Sequence, residues 1–320
     1  MAIAQSDASV IESVERIRAA DPDDMLGRIK DLPKQVRDAW AIASKASLPP
    51  AYGDVRNVVV AGMGGSAIGG DLAAATLSAF EDARKRGAKV LVLTTGGKIA
   101  ELGRASNFPV VTFSYKAQPR AALGYSLGLV LGVLTRLGFV RDLADDIEAA
   151  LSDLGRLEER VHEGARTNDA KKLALELHGR IPFAYGAGVM GVMARRVKGQ
   201  WNENAKNWSA FDVMSELNHN AVVGFPNPPI AREALVVLFL RSDRDNPRHK
   251  LRFEVTRELL DRAQIAHKTL QFRGQNVLSE VLQLVYFTDY VSFYLALLNG
   301  ADPSQVKSID YLKDRLAKGA

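Results

Sequence analysis

Gly62-Met63-Gly64-Gly65-Ser66-Ala67 is the stretch whose residue types and spacing point most directly to chemistry. It follows the β-branched run Asn57–Ala61 and opens a segment of helical periodicity. Glycines let a backbone turn sharply and approach a ligand, and a helix N-terminus offers free N–H groups and a positive dipole end. The ligand implied is an anion, most often phosphate, held by the backbone of Gly64 and Gly65 and the hydroxyl of Ser66. A tight strand-to-helix turn that binds nothing is the bland reading of the same residues. The loop also fits G-x-G-x-x-A, the dinucleotide fingerprint, which needs a carboxylate ending the next strand. That strand ends Leu93-Thr94-Thr95-Gly96, and the nearby acids Glu81 and Asp82 fall in a helical pattern. A dinucleotide-dependent oxidoreductase is therefore an alternative rather than the leading reading.

The other reactive residue types narrow the chemistry by their absence or scatter. There is no cysteine, which excludes a thiolate nucleophile, a thiolate metal site and a disulfide scaffold, and fits a reducing cytoplasm. His162, His178, His249 and His267 share no metal-ligand spacing, and no H-E-x-x-H occurs. The expected reaction uses neither metal nor cofactor. Among 320 residues, 47% are hydrophobic and 25% charged, the balance of a chain that buries real cores. The net charge of +5 is a small excess of 42 basic over 37 acidic residues. Ala83-Arg84-Lys85-Arg86 is only a short basic patch, so no nucleic-acid partner is expected. Asp7, Glu12, Glu15 and Arg16 argue against a signal peptide. Val277–Leu298 is apolar but carries Glu280, Gln283 and Asp289, so a buried or interface helix is expected there and no membrane partner.

The elements that must position these residues alternate along the chain. Residues 8–19 and 23–45 are predicted helices, broken at Asp21-Pro22 and ended by Leu48-Pro49-Pro50. Strands are predicted at Asn57–Ala61, Lys89–Thr94 and Pro109–Phe113, with a helix up to Arg86 and another over Ile99–Arg104. Residues 121–179 read as helices. A second set begins at Ile181–Tyr185, turns at Gly186-Ala187-Gly188 into a helix to Lys198, and adds strands at Ala234–Leu240 and Ala266–Phe272. Strands alternating with helices imply an α/β fold with parallel sheets covered on both faces. A glycine-ended strand followed by a helix recurs after about 120–130 residues, which implies two related α/β units.

Val60 through Asp71, then Gln200-Trp201-Asn202-Glu203-Asn204-Ala205-Lys206, Glu216-Leu217-Asn218-His219-Asn220, and the ending Val306–Lys313 resemble the bifunctional phosphoglucose/phosphomannose isomerases. The resemblance covers nearly the whole chain. It implies two sugar isomerase (SIS) domains of three-layer α/β/α form, here 51–145 and 146–320, behind an N-terminal helical segment at 1–50. It implies a sugar-phosphate substrate, interconversion of glucose 6-phosphate or mannose 6-phosphate with fructose 6-phosphate through an enediol, and a homodimer. Such a reaction needs a base that reaches two adjacent carbons, a group to open the ring, and positive charge for the developing oxyanion. Glu203, flanked by Asn202 and Asn204, is the expected base. His219 is expected to open the ring, because imidazole exchanges a proton near neutral pH. Arg120 matches the family arginine that stabilises the enediolate, and Lys307 is a further candidate cation.

One departure from the family pattern is large. After Gly70-Asp71 the chain passes directly into Thr76–Asp82, which resembles the helix that should follow a second, hydroxyl-rich phosphate loop. Some 30–40 residues near Ala75-Thr76 are expected to be missing, judged from typical element lengths. The first SIS domain should therefore lack strands. A helix from Ser66 to Arg86 would be about 30 Å long, beside a strand of only about 17 Å. A sugar-phosphate-binding protein without catalysis is a second alternative.

Overall fold

The computed structural model describes residues 8–61 and 80–319. They form two compact units, Met1–Ile29 with Asp146–Gln305, and Lys30–Asp145 with Val306–Ala320. Both are α/β with parallel pairing. The anion loop at Gly64, Gly65 and Ser66, and the join at Ala75-Thr76, lie outside the described residues.

The long helix expected over 23–45 divides into α2 (Met25–Lys30), which up to Ile29 falls with α1 (Val14–Ala19) in the unit of Asp146–Gln305, and α3 (Leu32–Lys45), which belongs to the unit of Lys30–Asp145. Pro33 sits in the first turn of α3, where its missing N–H costs no helical bond. Among the described residues the sheet of this unit has two strands, β1 (Val92–Thr94) and β2 (Val110–Thr112), joined through α4 (Lys98–Ala105). Leu93 pairs with Val111 in a parallel register. The strand expected at Asn57–Ala61 does not join it: Val59 is 88% exposed and no ladder bond holds the run. β-Branched propensity alone does not keep a strand without a neighbour to pair with and a face to bury. The best-packed part of this unit is helical. Gly124, Gly128 and Gly132 recur every four residues along α5 (Leu123–Arg136) and meet α3. A Cβ on Gly128 would lie 2.7 Å from that of Ala39, so only glycine permits this approach.

The other unit contains α6 (Ala144–Val161), α7 (Asp169–Leu177) and a four-stranded parallel sheet ordered β4-β3-β5-β6. Its strands are β3 (Ile181–Ala187), β4 (Ala210–Met214), β5 (Leu235–Arg241) and β6 (Ala266–Gln271). β4 is a strand the sequence pattern did not predict. It is the edge of the sheet, only five residues long and interrupted by Asp212, so it lacks the unbroken apolar run that marks β5. Helix α8 (Val189–Glu203) joins β3 to β4, and α9 (Pro247–Arg262) joins β5 to β6.

These two helices lie on opposite faces. A Cβ on Gly186 would lie 2.2 Å from the Met190 carbonyl of α8, and Gly191 meets Val213 of β4. The opposite face of the strands, carrying Tyr185, Ala187, Met214, Val237 and Phe239, packs with Leu217 and with Phe253 and Leu260 of α9. Alternate residues of one strand thus serve two cores.

Helix α10 (Val277–Leu298) is buried from Ser279 to its end, as expected for that segment. Each polar residue that argued against a membrane span has a partner. Glu280 bonds Arg244 and Ser242, Gln283 donates to the Arg273 carbonyl at 2.8 Å, and Asp289 pairs with Arg196. Buried charges persist because they are paired in this way. The C-terminal α11 (Lys307–Gly319) has no buried residue.

Candidate active site

Glu203 is the last residue of α8 and half-buried. Local chemistry ends the helix there: Asn204 is its C-cap, and Lys206 takes a positive φ of 50°. Asn207 then donates to the Arg180 carbonyl at 3.0 Å, just before β3 begins. The two neighbours of Glu203 are both anchored. The Asn202 side-chain oxygen accepts from the Ser209 amide at 3.1 Å, and the Asn204 amide donates to Ser292 Oγ at 3.0 Å. Glu203 therefore stands where β3 and β4 start, at the N-terminal edge of the sheet.

His219 follows a short 3-10 turn, Glu216–Asn218, beyond the end of β4. Its ring is exposed and its backbone N–H donates to the Glu216 carbonyl at 2.8 Å. Asn218 fixes the turn, donating to Thr256 Oγ1 at 2.8 Å and accepting from Arg252 Nη1 at 3.3 Å. Asn220 closes the far side through Glu216 Oε1 at 3.1 Å. Beneath this turn burial, and then the charge of Asp212, push the Tyr185 phenol well above its ordinary value, so it stays protonated near neutral pH.

Glu203 and His219 belong to the same unit but do not share a cleft within it. Glu203 ends a helix on one face of the sheet, and the turn of His219 packs on the other, with Leu217 in the core beside α9. Glu203 lies where strands begin and His219 follows where one ends. One copy of this unit forms no single cleft for the pair, because the β3-α8-β4 crossover carries its helix back down the sheet before β4 climbs again.

Arg120 and Lys307 fall in the other unit. Arg120 is half-buried in the 3-10 turn Pro119–Ala121 that leads into α5. Lys307 is exposed and opens α11. Where a dinucleotide would need a carboxylate, Thr94 ends β1, its hydroxyl accepting from the Gly96 amide at 3.1 Å. Among the described residues, no three His, Asp or Glu side chains gather as a metal site.

Sequence reasoning missed Arg252, Arg248 and His249, which with Ser215, Asn246 and Pro247 line an open cleft of about 460 Å³ beside the His219 turn. Their signal was available: four basic residues, Arg248, His249, Lys250 and Arg252, in the first two turns of a helix capped by Asn246, whose side chain accepts from the His249 amide at 2.8 Å.

The architecture and its doubled α/β units define the class, and comparison with known proteins gives the family. The model of the bacterial phospho-glucose isomerase C-terminal SIS domain matches residues 166–316. A bifunctional phosphoglucose/phosphomannose isomerase of Caldicellulosiruptor bescii is 34% identical over 336 aligned positions, covering 92% of this chain and 99% of that protein. One from Aquifex aeolicus is 35% identical over 77% of this chain and 73% of its own length. The crystal structure of a glucose-6-phosphate isomerase-like protein from Thermus thermophilus shares the fold, with a TM-score of 0.56 at 20% identity over 92% of this chain and 98% of that one. The chain belongs to the bifunctional phosphoglucose/phosphomannose isomerase family.

Proposed function

We propose that this protein is a sugar-phosphate isomerase that interconverts glucose 6-phosphate, mannose 6-phosphate or both with fructose 6-phosphate in a reducing cytoplasm. The match over nearly the whole chain to bifunctional phosphoglucose/phosphomannose isomerases carries this reading. In it, His219 exchanges the proton that opens the sugar ring. The Glu203 carboxylate then takes a proton from one of the two adjacent carbons and returns it to the other. Arg120, with Lys307 as a second cation, stabilises the charge on the enediolate oxygen between those steps. Gly64, Gly65 and Ser66 hold the phosphate.

The site is completed in a homodimer. Two features support this: Glu203 and His219 lie on opposite faces of one sheet, and the edge strand β4 is flanked by exposed apolar residues. Trp208 is 78% exposed, and Val192, Phe211 and Val223 are exposed as well. Glu203 of one copy would then face His219 of the other. Mixing inactive Glu203→Gln and His219→Gln chains should restore part of the turnover through hybrid dimers, and failure of hybrids to do so would remove the shared site.

We infer that the second phosphate loop is missing from this chain near Ala75-Thr76, and the length of one alignment supports this. The Caldicellulosiruptor match runs over 336 positions while engaging 92% of 320 residues, so about 40 positions of that alignment have no residue here. This favours, as the second reading, a protein that binds sugar phosphate without turning it over. The deciding experiment supplies fructose 6-phosphate and measures glucose 6-phosphate and mannose 6-phosphate formed. Turnover that Glu203→Gln abolishes supports the isomerase, and binding without turnover supports the alternative.

A further inference from the structure

We propose that the contact between α8 and α10 is a positioning device for Glu203, with Asn204, Ser292, Asp289 and Asn202 as positioning residues. This rests on the reading of Glu203 as the base. Helices that pack in a protein interior ordinarily meet through apolar side chains. Here α8 presents Arg196, Gln200 and Asn204 to α10, each four residues from the next and therefore stacked on one stripe. Arg196 grips both oxygens of Asp289 at 2.9 Å. Gln200 donates to the same carboxylate at 3.2 Å. One turn further, Asn204 donates to Ser292 Oγ at 3.0 Å, and that hydroxyl donates to the Asp289 carbonyl at 2.7 Å. Asn204 and Ser292 are fully buried.

Such a stripe is weak evidence for stability, because burying paired charges and amides roughly offsets what the bonds return. Its distinctive effect is register. An apolar stripe tolerates sliding by a fraction of a turn, whereas donors and acceptors at fixed heights do not. The stripe ends one residue past Glu203. On the other side Asn202 accepts from the Ser209 amide at the start of β4, and Ser209 is itself tied to the Lys198 carbonyl at 3.1 Å. The carboxylate thus sits between two anchored neighbours, at a helix end that would otherwise fray. A base that must serve two carbons in turn is sensitive to displacement of about 1 Å.

The test is a double-mutant cycle between Ser292→Ala and Glu203→Asp on the full chain, followed by NMR at high protein concentration so that slow turnover is read. Ser292→Ala should lower kcat about tenfold or more with KM changed less than twofold. In the Glu203→Asp background, where the carboxylate is already misplaced, the same substitution should have a much smaller effect. Asn202→Ala gives the same comparison from the other anchor should Ser292→Ala fail to fold. Equal losses in both backgrounds, or an unchanged kcat, would overturn the positioning role. Absence of any effect from Glu203→Asp would instead remove the reading of Glu203 as base, and with it the group this contact serves.

Discussion

Two parallel sheets in one chain have reached different degrees of completion. In the sheet of Ile181–Gln271, β3 pairs on both sides, with β4 and with β5, and β5 adds β6. Helices cover both faces, and Leu238, Phe239 and Leu240 are wholly buried. In the unit of Lys30–Asp145, the described sheet is two strands of three residues. The valines of 58–60, as β-branched as anything in β5, lie exposed. The difference teaches that a strand is a property of its neighbours. Val236 and Val237 are strand because β3 and β6 flank them; Val58 and Val59 carry the same preference and have no described partner.

The largest effect should appear at the site of the better-formed unit. Glu203→Gln keeps shape and removes proton transfer, so kcat should fall by about 10²–10⁴-fold, while fructose 6-phosphate binding changes little. Calorimetric binding beside the turnover assay checks this, and equal loss of both would make Glu203 a binding or structural residue.

Next in size is the contrast in protection. Native-state hydrogen exchange should give residues 181–187 and 235–241 protection at least a hundredfold above 92–94 and 110–112, with 57–61 close to unprotected. Uniform protection would mean the smaller sheet is completed by pairing that the described residues do not contain. A missing phosphate loop predicts a similar ratio in affinity. Two lost charge-assisted bonds, at about 1.5–3 kcal/mol each, amount to a hundredfold or more in Kd. Titrating fructose 6-phosphate into this chain and into the Caldicellulosiruptor relative measures it.

The smallest effect compares two helical glycines. Gly132→Ala would set a Cβ 2.5 Å from that of Ala43, and should destabilise the unit of α3 and α5 by about 1–3 kcal/mol. Gly199→Ala in α8 meets nothing within 4 Å and should stabilise by about 0.5–1 kcal/mol. Thermal melts of both variants test whether the tightness of the first unit is confined to its helix pair.

Much of this was legible in the sequence where local pattern and tertiary need agree. β5 announces itself as an unbroken apolar run, and α10 as an apolar helix whose few polar residues needed partners. The glycine turn at Gly186–Gly188 was equally plain, since Gly188 adopts a positive φ of 53°. What the pattern hid was tertiary. β4 is short and edge-lying, so its residues Ala210–Met214 show no run. The extension of α8 from Lys198 to Glu203 is held by Gln200 and Asn204 reaching α10, which no periodicity reveals. Above all, Glu203 and His219 are only sixteen residues apart in sequence, and nothing in the pattern shows how far the fold separates them. The intervening strand sends them to opposite faces.

The central claim is that Glu203 moves a proton on a bound sugar phosphate. Incorporation of solvent deuterium into the carbon-bound positions of fructose 6-phosphate, followed by NMR, reads that step itself. The account predicts incorporation by the unaltered chain and none above background by Glu203→Gln under the same saturation. Incorporation at the same rate by Glu203→Gln, or none by the unaltered chain with substrate bound, would contradict it.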